Sequence, residues 1–400
     1  MSAPLTQWIV SDNSVRFHQS GGYNFSGNTT PKVRPMQTLH ARHYATGKPL
    51  AITTDAGRIV TMTPSTQNPT AWVAPSFFDV QINGCLGIGF NSPELTVEGV
   101  RTVADHCQKH GIGGFCPTLI TGGFEALEHG FKTLTKALNT DAELARRIPG
   151  HHLEGPYISA QDGPRGAHPG VHARDPNWDE FQRWNDAANG RIRMVTLAPE
   201  RPGALPFIEK LAGSGIVVAL GHTAATGQQI RDAVTAGAKT STHLGNGCHA
   251  MLPRHDNYVW EQLAHDGLWA SVIADGHHLP DTILRVVARV KTPKRLLLTC
   301  DAGSLAGLPA GRYSQWGTEL EVLPSGKIVV PGTPFLAGSG SFTDNCVSTM
   351  ARLVGLIDAI EMASVRPREL LGLAVSTIEV GQPDDLIVFE WDSTTGLTVL

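Results

Sequence analysis

From about Pro75 to Val375 one pattern recurs: a short apolar run, in several cases almost wholly apolar, a Gly-rich or polar junction, then a longer stretch with helical spacing. The runs are Phe77–Ile82, Gly114–Leu119, Gly150–Leu153, Met194–Ala198, Ile216–Leu220, Thr240–Leu244, Ala270–Ala274 and Leu296–Thr299. Strands that are apolar on both faces belong in a parallel sheet covered by helices. Eight β-then-α units over about 300 residues predict a (β/α)8 barrel of the TIM type, with an open doubly wound sheet as the alternative.

The flanks have a different period. Leu50–Thr63 reads as a strand, a turn at Asp55-Ala56-Gly57 and a second strand, and Asp385–Trp391 as a strand followed by a turn and a last short strand. The two segments are expected to meet in a small β-sandwich domain built from both chain termini. The division is therefore 1–73 for an N-terminal extension and the first part of that domain, 74–375 for the barrel, and 376–400 for the rest. The first 35 or so residues are rich in Ser, Gly, Asn and Thr, and read as partly irregular.

Composition narrows the class. Of 400 residues 41% are apolar and 17% charged, which suits a soluble protein with a substantial core. The net charge of -4 is spread along the chain, which excludes nucleic acid and anionic membranes as partners. No run approaches the roughly 18 apolar residues of a membrane helix. Met1 to Ser20 has no secretory pattern, so a cytoplasmic location is expected. Six scattered cysteines read as reduced thiols.

In such a barrel, chemistry gathers where strands end. The third run is followed by Glu154-Gly155-Pro156 and the fifth by Gly221-His222-Thr223. The sixth contains Thr242-His243-Leu244, the seventh ends in Asp275-Gly276-His277-His278, and the eighth in Cys300-Asp301. Taken singly, Glu154 or Asp301 reads equally as a helix cap, and His222 or His243 as a satisfied polar residue. Together they set acidic and imidazole groups on one rim. Two imidazoles and a carboxylate form a three-ligand site with a position open for water, and a nearby Asp can move a proton.

The segments Pro75-Ser-Phe-Phe-Asp-Val-Gln-Ile-Asn-Gly84, Pro117-Thr-Leu-Ile-Thr121, His152-Leu-Glu-Gly-Pro156, Gly221-His222, Thr242-His-Leu244, Ile273-Ala-Asp-Gly276 and Leu336-Ala-Gly-Ser339 carry a resemblance. From about Leu39 onward the chain resembles N-acetylglucosamine-6-phosphate deacetylases of the amidohydrolase superfamily. The resemblance implies Glu154, His222 and His243 as metal ligands, and Asp301 as general base and acid. It also implies that His168 bonds the acyl carbonyl and that His278 faces the sugar phosphate. A homodimer acting on an amino sugar phosphate is the implied assembly. Many amidohydrolases have His-x-His at the first strand end. Here Gln81-Ile82-Asn83 stands there, which argues for one divalent metal, Zn2+ or else Fe2+, Mn2+ or Co2+. Gln81 and Asn83 are expected to bond water or substrate, or to fill the vacant space.

Where the family reads T-H-L-F-N-A-M-P, this chain reads Thr242-His-Leu-Gly-Asn-Gly-Cys-His-Ala-Met-Leu-Pro253. Asn246, Gly247 and Arg254 are the candidate phosphate contacts, Gly245 and Gly247 through backbone N–H groups and Arg254 across a dimer interface. Two rivals stand beside this reading. One is an amidohydrolase for another N-acyl compound, such as N-acetylgalactosamine-6-phosphate or an N-acyl amino acid. The other is a non-catalytic barrel that only binds.

Overall fold

The computed structural model describes residues 36–315, 318–332 and 336–400. The expectations for Met1 to Ser20 and for the irregular N-terminal extension lie outside the described residues.

Eight strands run parallel in sequence order: β1 (Phe77–Ile82), β2 (Ile112–Ile120), β3 (His151–Glu154), β4 (Ile192–Leu197), β5 (Val217–Leu220), β6 (Ala238–Ser241), β7 (Trp269–Ile273) and β8 (Leu296–Thr299). A helix follows each, from Val97–Lys109 after β1 to Thr343–Val354 after β8. The (β/α)8 barrel read from the eight runs is the observed architecture. Period two sorts its side chains. In β5, Val218 and Leu220 join the layer under the helices, while Val217 and Ala219 join Phe78, Val80, Cys116, Met194 and Leu297 in a separate inner cluster. In β3, Leu153 is outward; His152, one residue before it, reaches the β1 carbonyl of Val80 and the β4 hydroxyl of Thr196.

The barrel closes between β1 and β8. The Asn83 amide donates to the Ala302 carbonyl at 2.9 Å. Beneath it, the buried Asp79 carboxylate accepts from Gln81 N–H (2.9 Å), Thr299 Oγ1 (2.6 Å), Cys300 N–H (2.8 Å) and Thr343 Oγ1 (2.7 Å). One side chain thus ties both closing strands to the last barrel helix.

Both chain ends build one six-stranded sheet, ordered Gly396–Val399, Leu386–Asp392, Trp72–Pro75, Gln37–His43, Pro49–Asp55, Arg58–Pro64. The hairpin read at Leu50–Thr63 is there, its two-residue turn made by Ala56 (φ 47°) and Gly57 (φ 80°). A three-stranded antiparallel sheet (Gly311–Gln315, Thr318–Val322, Ile328–Val329) is inserted after β8, with its own small core of Leu305, Tyr313, Leu320, Val322 and Ile328. Among the described residues no helix is long and apolar enough to cross a membrane.

His151 opens β3 with its ring buried against Phe131, and neither ring nitrogen has a hydrogen-bond partner among the described residues. Burial, then the Arg191 charge, lowers its pKa to about 3. The folded chain holds it neutral, whereas the unfolded chain protonates it below about pH 6.5. Stability is therefore full above that pH and falls as pH drops towards about 3. At pH 5 the loss is about 2 kcal/mol. Urea titrations at pH 7 and pH 5 should show His151→Leu losing less stability than the wild type over that interval, and equal losses would remove His151 as a source.

Candidate active site and metal centre

Four polar side chains reach the barrel mouth by two backbone routes. Glu154 is the last residue of β3 and points inward by strand alternation. His222, His243 and Asp301 each stand two residues beyond a strand, after β5, β6 and β8. All three have positive φ, at 51°, 27° and 50°. Each such conformation costs about 1–3 kcal/mol and persists only where packing imposes it, which is typical of functional sites. His243 is thus beyond the sixth strand rather than inside it, because the chain kinks at Thr242. Gly221 permits the neighbouring turn, since a Cβ there would lie 2.8 Å from Thr242 Cβ.

Glu154 Oε1 lies 3.2 Å from His222 Nε2 and 3.0 Å from His243 Nε2, and the two nitrogens are 3.0 Å apart. His222 Nδ1 is 2.9 Å from the Pro164 carbonyl, which can only accept. Nδ1 therefore carries the proton and Nε2 presents its lone pair, the tautomer of a metal ligand. Three donor atoms at 3.0–3.2 Å from one another approach the edge of about 3.3 Å set by a tetrahedral ion with bonds of about 2.0–2.1 Å. The donor set and its spacing fit one divalent cation. Burial would raise the Glu154 carboxyl, but the His222 and His243 rings facing it hold it well below the usual carboxylate range.

His168 is a fourth candidate donor. Glu154, His168 and His222 each offer a ligand atom within 4.8 Å of the others. His168 Nε2 comes only to 3.8 Å of Glu154 Oε2, and Nδ1 is 2.8 Å from Thr121 Oγ1. His243 Nε2 lies 3.0 Å from both Glu154 Oε1 and His222 Nε2, so the tighter triad is Glu154, His222 and His243, with His168 one step outside. Burial and the neighbouring His222 lower the His168 pKa to about 3, leaving the ring neutral.

Asp301 faces this triad across two amides. Gln81 Nε2 donates to both Glu154 Oε1 and Asp301 Oδ1 at 2.9 Å, and Asn83 Nδ2 donates to Asp301 Oδ1 at 2.6 Å. Asp301 Oδ2 receives no hydrogen bond from the described residues and is the free basic atom. Burial, then the Glu154 carboxylate, pushes Asp301 up to about 7. A bound cation would draw it down again. The amide carbonyls, Gln81 Oε1 and Asn83 Oδ1, are buried without a partner among the described residues.

The altered loop is only partly at the site. Asn246 turns its amide back to the His243 carbonyl (3.3 Å), and Gly247 (φ 55°) packs so closely that a Cβ would meet His222 Nδ1 at 2.8 Å. His278 pairs with Asp275 at 2.8 Å. Arg254 is not brought to the cluster: it is exposed, and its carbonyl accepts from the Trp260 indole. Sequence reasoning gave no role to Asp79, Thr121, Pro164 or Asp275. Asp79, Thr121 and Asp275 lie inside the quoted motifs, which was the available signal.

A (β/α)8 barrel carrying a His/His/Glu cluster and a carboxylate at its C-terminal rim is the frame of a metal-dependent hydrolase. The amidohydrolase family model matches residues 72–398. The chain belongs to this family. It is 37% identical to bovine N-acetylglucosamine-6-phosphate deacetylase, over 80% of this chain and 79% of that protein. It is 31% identical to an N-acetylgalactosamine-6-phosphate deacetylase of Escherichia coli O157:H7, over 77% and 80%. The structure of a mutant N-acetyl-D-glucosamine-6-phosphate deacetylase from Mycobacterium smegmatis, in complex with N-acetyl-D-glucosamine-6-phosphate, is similar with a TM-score of 0.80. That likeness has 30% identity and covers 92% of this chain and 98% of the other.

Proposed function

We propose that the chain hydrolyses the N-acetyl group of N-acetylglucosamine-6-phosphate, giving glucosamine-6-phosphate and acetate. The observation that carries this reading is the convergence of Glu154, His222 and His243 at 3.0–3.2 Å beside a carboxylate with one free oxygen. The likeness to named deacetylases over four-fifths of the chain supports the substrate.

Glu154, His222 and His243 would hold one divalent ion, Zn2+ by the donor set, with Fe2+, Mn2+ or Co2+ as substitutes. When bound, it supplies a Lewis acid that polarises an amide carbonyl and acidifies water. Asp301 takes a proton at Oδ2 and returns it to the departing amine nitrogen. Gln81 and Asn83 keep Oδ1 occupied, so Oδ2 does the proton transfer. With the Thr121 hydroxyl, 2.8 Å from His168 Nδ1, acting as donor to that nitrogen, Nε2–H would be left to donate to the acyl oxygen as negative charge develops there. His278 and the Asn246–Gly247 backbone face the sugar phosphate. In a homodimer the exposed Arg254 would serve the neighbouring site.

Acetate release from N-acetylglucosamine-6-phosphate, measured beside the unphosphorylated sugar and N-acetylgalactosamine-6-phosphate on metal-assayed protein, tests the reading. The unphosphorylated sugar should lose about 10–100-fold in kcat/KM, the worth of a hydrogen bond to a charged group. Equal rates with and without phosphate would move the substrate to another N-acyl compound. A preference for the galacto epimer would assign the altered loop to epimer selection.

A further inference from the structure

The loop after β6 carries three residues, Gly247-Cys248-His249, that the family pattern T-H-L-F-N-A-M-P lacks between its Asn and its Ala-Met pair, here Asn246 and Ala250-Met251. They lie against the loop that follows β3, whose residues 161–168 end in His168. A Cβ at Gly163 would stand 3.0 Å from His249 Cα and 3.2 Å from the Cys248 carbonyl oxygen. A Cβ at Gly247 would stand 3.3 Å from the Pro164 carbonyl oxygen. Both glycines have positive φ, 93° and 55°, and the two backbones meet because neither carries a side chain there.

His249, half-buried, joins this contact to a third element. Its backbone N–H donates to the hydroxyl of buried Tyr258 at 2.8 Å, and its Nδ1 stands 3.0 Å from the same hydroxyl. Tyr258 opens the helix Tyr258–Ala264. On the other side of the ring, Nε2 stands 3.2 Å from Gln161 Oε1. An amide oxygen only accepts, so Nε2 carries a proton in either charge state of the ring, while the Tyr258 hydroxyl can give to Nδ1 or take from it. A histidine that merely filled its own turn would engage only Tyr258, nine residues on. This one also reaches across 88 residues of sequence to the loop that holds His168.

From Gln161 the connection to His168 is short. The Gln161 carbonyl accepts from Arg165 N–H (3.0 Å) and the Arg165 carbonyl from His168 N–H (3.3 Å), while Arg165 Nη1 donates to the His168 carbonyl (2.8 Å). We infer that His249 is a positioning residue for the deacylation: it clamps the Gln161–His168 loop to the Tyr258 hydroxyl and so keeps the His168 ring aimed at the acyl oxygen. This rests on the reading that His168 donates to that oxygen. His249→Ala removes the clamp and deletes no side chain that the reading sets against metal or substrate. His249→Gln is the conservative variant, since its amide still donates at the reach of Nε2.

The experiment uses the full, metal-loaded chain. In His249→Ala, kcat for N-acetylglucosamine-6-phosphate should fall about 10–100-fold, the cost of misplacing a donor by about 1 Å, with KM within about threefold. Bound metal should stay at the wild-type level, and His249→Gln should recover most of the loss. Gln161→Ala, at an exposed position, should reproduce the loss and add nothing to His249→Ala. In a His168→Ala background, His249→Ala should lower kcat by less than about twofold, because the effect runs through that ring. Trypsin gives a readout that needs no turnover. Cleavage after Arg165, followed by mass spectrometry, should be about fivefold faster in His249→Ala, the worth of one hydrogen bond lost from a locally opening loop. Equal kcat losses with and without His168 would overturn the inference, as would unchanged kcat or cleavage at the wild-type rate in His249→Ala. A chain that spares the sugar phosphate yet is cleaved faster in His249→Ala defeats the substrate reading and upholds the clamp.

Discussion

Asp301→Asn should lower kcat by about 10²–10⁴-fold, the usual contribution of a general acid–base group, while bound metal per chain stays at the wild-type level. The structure makes this substitution unusually clean. Asp301 Oδ1 accepts from both Gln81 and Asn83, and an Asn carbonyl at 301 can accept the same two bonds. Its φ of 50° is a region that Asn tolerates better than most residues. The change therefore falls on Oδ2, where an oxygen that can take and return a proton becomes an NH2 that cannot. It also removes a buried carboxylate that burial and Glu154 push up to about 7. Metal-free protein should consequently melt no lower than the metal-free wild type. Steady-state acetate release with metal analysis of the same sample checks both statements. Activity within tenfold of wild type would take proton transfer away from Asp301.

The barrel was legible because its strands are covered on both faces, so Ile216–Leu220 stands out as an unbroken apolar run and Leu296–Thr299 is broken only at its last residue. The strands Gln37–His43 and Trp72–Pro75 were not. They are short or half-exposed, and Trp72–Pro75 finds a partner far along the chain, Pro75 opposite Leu386. The sheet inserted after β8 also escaped, since its core is five residues deep in a stretch rich in Gly and polar residues. At the site, residue types at strand ends were readable, and their geometry was not. Nothing in local propensity announces a positive φ at His222 or His243, because the kink is imposed by tertiary packing. The destination of the Gln81 and Asn83 amides depends on barrel closure, which sets β1 against β8 across 220 residues of sequence. Arg254 fitted by spacing alone, and its exposure leaves that fit to a second subunit.

His243→Ala and His168→Ala should separate the two donor sets that the cluster offers. Glu154, His168 and His222 are mutually within 4.8 Å, yet His243 Nε2 stands 3.0 Å from both Glu154 Oε1 and His222 Nε2. His168 approaches no closer than 3.8 Å to Glu154, and its other nitrogen is engaged with Thr121. Removing His243 leaves two donors where about three protein ligands are needed to retain a catalytic ion. Metal content should then fall from about one per chain towards zero after desalting, and activity by at least about 10³-fold, equivalent to the several kcal/mol that a Lewis acid contributes. Removing His168 should leave the metal in place and lower kcat by about 10²–10³-fold, the loss of one donor to the developing oxyanion. Glu154→Gln adds a third comparison. It keeps the shape of the site but loses the anionic oxygen that faces the two imidazoles at 3.0 and 3.2 Å, and it should behave like His243→Ala. If His168→Ala loses the metal and His243→Ala keeps it, the ion sits towards His168, and the acyl oxygen must be polarised from the His243 side instead.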